Sequence, residues 1–195
     1  MEKIGIYDPY LHILGGAERY IFSIAHCLSG NNEITIFTHH PELISVAKEK
    51  FGFTIAGIRT LPWPQNRLER SKILKDFSVF FYITDGSIFR SNAKKNILII
   101  QTPIHIPAKN LANQIKFQSW DKIICYSTFM KNIIAKRLGK KAYELFVPVE
   151  MQTQKVIDKK RIIISVGRFF PHLHNKKQKE MVVAYAQLLK KGLKD

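Results

Sequence analysis

Two hydropathy patterns alternate along this chain. Short, nearly unbroken apolar runs occupy residues 3–7, 33–38, 53–58, 79–83, 96–101, 122–126 and 143–147. Each run is rich in Ile, Val, Phe or Tyr and predicts a β-strand. Between the first two, Ala17, Tyr20, Ile21, Ile24, Ala25 and Leu28 recur at the three- and four-residue spacing of one helix face. The same reasoning predicts helices over 41–50, with Pro41 at a favourable first-turn position, over 67–75 and over 110–117. A further helix begins where Ser127 or Thr128 can cap it. Met130, Ile133, Ile134 and Leu138 form its buried face, and Gly139 closes it.

The strand runs are continuous rather than alternating in polarity, which is the signature of strands covered by helices on both faces. The expected fold class is therefore α/β, a Rossmann-like doubly wound parallel sheet over residues 1–148. Residues 149–160 are polar without periodicity and read as a linker. A second unit then opens with a predicted strand at 161–166 and a loop at 167–179. Val182, Tyr185, Ala186 and Leu189 mark the face of a helix. One strand and one helix cannot enclose a core. The expectation for 161–195 is a truncated second α/β unit.

Composition narrows the function classes. The 195 residues carry a net charge of +16 and have ordinary globular apolar and aromatic content, which excludes intrinsic disorder. Residues 151–195 hold 11 Lys and Arg against 3 Asp and Glu. That basic balance favours anionic partners. No arginine-rich run, zinc-finger spacing or RNA-binding aromatic signature accompanies it, so nucleic acid is not an expected partner. Cys27 and Cys125 are too few for a disulfide scaffold, and both sit in apolar patterns that predict burial. No leader-like segment or apolar stretch of about 20 residues appears. The expected location is cytoplasmic.

Two motifs carry chemistry. Gly15-Gly16 stands between the first strand and the first helix, where ligands of open α/β sheets bind. A glycine pair there lets a ligand approach the backbone, and the helix start offers free N–H groups. The dinucleotide fingerprint of three spaced glycines is absent, which counts against a dehydrogenase. In the second motif, Val166-Gly167-Arg168 follows a predicted strand, and Lys176-Lys177 lies on the next loop. Arg and Lys so placed can grip two phosphates. Asp85, at the fourth strand end before Gly86, suits either hydroxyl binding or a tight turn. The pair His39-His40 lacks a third ligand and is a poor metal site. Trp63 between two prolines, and Phe80, Phe81, Phe89 and Phe117, read as packing residues.

Together these strings resemble the retaining family 4 glycosyltransferases of GT-B fold. The carriers are Gly-Gly-Ala-Glu-Arg at 15–19, Ser-Val-Gly-Arg at 165–168, the lysines beyond it, Cys-Tyr-Ser-Thr-Phe-Met-Lys at 125–131, and Val147-Pro148-Val149. The resemblance implies a nucleotide-sugar-dependent enzyme that transfers a hexosyl group to a glycan or glycolipid acceptor in cell-surface polysaccharide assembly. It implies no cofactor and no metal. Gly15 and Gly16 would approach the donor phosphate and sugar. Arg168 with Lys176 or Lys177 would stabilise the departing diphosphate, an effect worth about 3–4 kcal/mol per well-placed donor. Where the family often has a His at the fifth strand end, this chain has Gln101, with His105 nearby but out of register. Gln101 can bond a sugar hydroxyl but cannot act as a base. Asp85, Gln101 and His105 are the expected acceptor or sugar contacts. Lys109, Lys116, Lys131, Lys136 and Arg137 form the expected basic face toward an anionic membrane surface. The Glu-rich segment of the family has no counterpart in these 195 residues, so the expectation is a fragment inactive by itself, or a non-catalytic partner subunit that binds acceptor or membrane.

Overall fold

The computed structural model describes residues 1–53, 57–149, 162–167 and 177–192. The chain divides into two compact units, Met1–Val149 and Glu150–Asp195. In the first, seven strands form one all-parallel sheet: β1 (Glu2–Tyr7), β2 (Asn32–Phe37), β3 (Arg59–Leu61), β4 (Val79–Ile83), β5 (Lys95–Ile100), β6 (Lys122–Cys125) and β7 (Tyr143–Glu144). Their order is β3-β2-β1-β4-β5-β6-β7, the doubly wound arrangement of a Rossmann-like fold. The helices are α1 (Gly16–Leu28), α2 (Leu43–Phe51), α3 (Arg67–Leu74), α4 (Leu111–Phe117) and α5 (Thr128–Leu138).

Strand alternation sorts the side chains into two cores. Ile4, Ile6, Ile34, Ile36, Phe81 and Ile83 pack with Tyr20, Ile21 and Phe22 of α1 and Ala47 of α2. On the other face, Phe37, Phe80, Tyr82, Leu98 and Ile100 pack with Leu74, Phe117, Trp120, Met130 and Ile134. This second core is strongly aromatic. Trp63 is buried there and stacks on Tyr7, with ring centroids 3.7 Å apart. Phe80, Phe81 and Phe117 are buried and Phe89 partly so.

Gly5 lies in β1 under this aromatic layer. A Cβ at that position would stand 3.0 Å from both Phe77 Cδ1 and Phe80 Cδ2 and 3.2 Å from Phe37 Cε2. The ring packing therefore needs the missing methyl. Gly5→Ala should destabilise the protein by about 1–3 kcal/mol through overpacking. Urea unfolding checks this, and an unchanged midpoint would refute the close contact.

Local signals end the helices as expected. The Ser127 hydroxyl accepts the Met130 N–H at 3.3 Å, and Gly139 closes α5 at φ 66°. Asn110 caps α4 by accepting the Asn113 N–H at 2.8 Å. Two expectations for this unit need correction. The third strand is Arg59–Leu61, paired Thr35↔Arg59 to Phe37↔Leu61, rather than 53–58. Residues 54–56 fall outside the description. Phe53 and Ile58 pack instead against the core under α1 and α2, so their apolar character serves side-chain burial and not strand pairing. Cys27 is exposed, while Cys125 is buried. Tyr20, Ile21 and Ala25 of α1 are buried, and Cys27 lies outside that set.

The second unit holds α6 (Gln178–Lys190). Residues 162–167 belong to no strand, against the expectation for 161–166. Ile162, Ile163 and Ile164 are exposed. A strand needs a neighbour to bond with, and the described residues of this unit supply none. Residue 161 and the linker from 150 lie outside the description. Among the described residues, no helix is long and apolar enough to cross a membrane.

Candidate functional site

The strand order reverses direction at β1 and β4, so loops diverge there and open the carboxyl edge of the sheet. Asp8 follows β1 directly. It is 3% exposed. Its Oδ1 accepts the Tyr10 N–H at 2.8 Å, whereas Oδ2 is buried with no hydrogen-bond partner among the described residues. Burial pushes its pKa up from 3.8 to about 7; the Tyr10 bond opposes this, and the neighbouring Glu18 and Asp85 carboxylates add to it.

Gly15 is the N-cap of α1. Its N–H donates to Glu18 Oε2 at 2.5 Å, and its carbonyl accepts the Arg19 N–H at 3.0 Å. Glu18 is buried, so the start of α1 carries its own carboxylate. Gly16 is exposed. A Cβ there would meet nothing within 4 Å, and its φ is not positive. Nothing within the described residues requires a glycine at 16.

Asp85 stands in a bonded turn. Its Oδ1 accepts the Ser87 N–H at 2.9 Å and the Tyr82 hydroxyl at 3.1 Å. Burial works to raise its pKa, but the bonds from Ser87 and Tyr82 outweigh it and hold the carboxyl below its ordinary range. Gly86 has φ 104°, a conformation that favours glycine. A Cβ there would lie 3.7 Å from the Ile104 carbonyl oxygen and 3.8 Å from His105 Cα. The turn after β4 therefore abuts the single-turn 3-10 helix Pro103–His105 that follows β5. The His105 ring lies 6.1 Å from Tyr10, which brings the loops after β1, β4 and β5 together.

Gln101 is partly buried at the end of β5, and its Nε2 has no hydrogen-bond partner among the described residues. Tyr126 follows β6. Burial raises its pKa, with Tyr20 and Asp8 adding to the effect. The Gln101 side chain lies close enough to favour the ionised Tyr126 hydroxyl, yet the two do not meet hydrogen-bond geometry. Toward β2 the edge opens into a cleft of about 220 Å³, lined by Tyr7, Asp8, His12, Thr38, His39 and Trp63 among others. Among the described residues no group of three His, Cys, Asp or Glu is placed to hold a metal ion.

Gly15, Gly16, Asp85, Gln101 and His105 thus share the carboxyl edge of one sheet. Lys177 belongs to the second unit, at the N-cap of α6 with φ 55°, and pairs with Glu180 at 3.7 Å. That exposed pair contributes little. Arg168 and Lys176 lie outside the described residues. Asp8, Glu18 and Tyr126 escaped the sequence reading. The signals were an Asp directly after an apolar run and a Glu at the third position of a helix. No family model matches the chain, and no curated protein matches it.

The basic residues lie on the segments that follow β5 and β6. Lys109, Lys131, Lys136 and Arg137 are exposed, and Arg137 donates to the Pro103 carbonyl at 2.8 Å. Ile104, Leu111, Ile115 and Phe129 are exposed apolar residues of the same segments.

Proposed function

We propose that this chain is the acceptor-side part of a retaining, nucleotide-sugar-dependent glycosyltransferase that builds a cell-surface glycan or glycolipid from the cytoplasmic face of the membrane. The observation that carries this reading is Gly16, which opens α1 at the carboxyl edge with open space where a Cβ would stand. Open space at that position admits close approach of a ligand to the backbone. Asp85, Gln101 and His105 converge on the same edge and supply side chains for hydroxyl groups. Arg168 with Lys176 or Lys177 is assigned to the leaving diphosphate by the resemblance alone.

The test is incubation of the chain, together with extract of its own cells to supply a donor-side part, with a panel of radiolabelled nucleotide-sugars and membrane-extracted acceptors. Transfer with retention at the anomeric carbon is the expected product. No transfer and no nucleoside diphosphate release with any donor would sink the proposal. Gly16→Ala should cut transfer roughly tenfold or more by blocking approach. Its stability should be unchanged or up by about 0.5–1 kcal/mol, because Ala is the better helix former.

A second reading is a non-catalytic subunit that docks on an anionic membrane. The pairing of exposed Ile104, Leu111, Ile115 and Phe129 with Lys109, Lys131, Lys136 and Arg137 favours it. Co-sedimentation with liposomes should then rise with anionic lipid content, and independence from lipid charge would remove this reading.

A further inference from the structure

Arg70 lies in the first turn of α3, the helix that follows the carboxyl end of β3. It is partly buried. Its guanidinium carbon stands 4.6 Å from the Phe89 ring centroid and 5.6 Å from that of Trp63. No carboxylate, carbonyl or hydroxyl bonds to it among the described residues. A cation–π contact engages the charge and leaves the five N–H donors without an oxygen. Burial pulls the Arg70 pKa down, Tyr7 works against this, and Arg67 three residues earlier adds to the fall. The side chain is thus a partly desolvated cation that no ion pair among the described residues compensates.

A second donor stands near it. Tyr7 ends β1, and its ring stacks on Trp63. Arg70 and Tyr7 act on one another electrostatically. Burial pushes the Tyr7 pKa up to about 12, with Asp85 and Asp8 adding to the rise and Arg70 opposing it, so the phenol keeps its proton at neutral pH. Its hydroxyl has no hydrogen bond among the described residues. Asp85 and Asp8 do not serve as acceptors here, since Asp85 takes the Ser87 and Tyr82 bonds and Asp8 takes that of Tyr10. A carboxylate or phosphate oxygen only accepts, and its bond to a guanidinium is about twice as strong as one between neutral groups. A neutral ligand would leave the charge uncompensated. Tyr7 and Trp63 also line the cleft of about 220 Å³, so the rest of a ligand has room beside them.

We infer that Arg70, with the Tyr7 hydroxyl, binds an oxyanion, the carboxylate or phosphate group of a ligand at the carboxyl ends of β1 and β3, and thereby selects an acidic ligand over a neutral one. Calling that ligand an acceptor rests on the proposed function, while the preference for an anion rests on the geometry alone. Without Arg70 the Asp85 and Asp8 carboxylates would make this edge repel anions, so the preference depends on that guanidinium.

The experiment is an NMR titration of the full 195-residue chain at neutral pH and fixed ionic strength, read at the Nε–H of Arg70 and the indole N–H of Trp63. The probes are inorganic phosphate, glucuronate and glucose. Phosphate, glucuronate or both should move the two signals saturably, and glucose should not. A response to phosphate alone identifies a phosphate-bearing ligand, and one to glucuronate alone a carboxylate. Arg70→Gln, read at Trp63, should weaken the response roughly tenfold. Tyr7→Phe, which keeps the stacked ring, should weaken it about threefold and carries the test if Arg70→Gln loses its native spectrum. Arg59→Gln removes the same charge from the Arg59–Glu33 pair on β3 and should leave the response intact. No saturable response to either anion would overturn the inference. So would an equal response to glucose, an undiminished response in Arg70→Gln or in Tyr7→Phe, or an equal loss in Arg59→Gln. Transfer activity is a separate readout. A chain that binds the anion as described and transfers nothing refutes the enzymatic reading alone. A chain that transfers sugar but shows no anion response refutes this inference alone.

Discussion

Asp8→Asn should make the protein more stable by about 2–4 kcal/mol above pH 7, and the gain should vanish near pH 4. The reason lies in the carboxyl's surroundings. Asp8 is buried beside Glu18 and Asp85, and its pKa rises from 3.8 to about 7. The folded state therefore keeps this proton to a higher pH than the unfolded chain does. Between pH 3.8 and about 7 the folded state binds more protons, so the Asp8 contribution to stability falls as pH rises. Below that window both states hold the proton and the residue costs nothing. Above it the full cost of a buried charge is present. Asn has nearly the same shape, can still accept the Tyr10 N–H, and never ionises. Asp85, whose pKa is lowered, contributes the opposite slope in both proteins. The difference between the two stability–pH curves removes it. Urea unfolding of both proteins from pH 4 to pH 8 checks the prediction, and a flat difference would show that Asp8 titrates as an ordinary surface carboxylate.

Phe80→Ala should cost about 3–5 kcal/mol, a large share of the stability of a domain this size. Phe80 is fully buried in β4. Its ring centroid lies 6.0 Å from Trp63 and Phe37 and 6.2 Å from Phe89 and Trp120. Removing the ring leaves a cavity between side chains from four separate segments. These neighbours cannot all move inward, because Trp63 is stacked on Tyr7 and Trp120 Nε1 donates to the Phe89 carbonyl at 2.9 Å. The measurement is the urea midpoint at unchanged slope. A loss below about 1 kcal/mol would mean that the aromatic layer collapses into the space.

Much of the fold was legible because its signals are local. The run Val79–Ile83 forms β4 as written, and Ser127 and Gly139 bound α5 where their side chain and backbone preferences place them. The third strand was not legible. Arg59–Leu61 is polar and short, and only its pairing with Thr35–Phe37 makes it a strand. Residues 162–164 erred in the other direction. Three isoleucines carry strong strand propensity, but no ladder pairs with them among the described residues and they are exposed.

At the candidate site the division follows the same physics. Gly15-Gly16 and Asp85 announced themselves by residue type at predicted strand ends. Asp8 and Glu18 did not, because a carboxylate's meaning depends on its neighbours. Glu18 is a helix-capping residue by pattern, and only the fold shows that it is buried as it accepts the Gly15 N–H. Tyr126 lies more than a hundred residues from Asp8, and only the parallel sheet brings it within range of that carboxylate. The sequence alone determined the α/β class, the helix ends and the glycine turn, since each depends on residues within one or two turns of one another. The tertiary structure alone decided the third strand's register, the crowding at Gly5 and the convergence of Asp8, Glu18, Gln101 and Tyr126. Those depend on which distant segments the sheet brings side by side, and on water being excluded where they meet.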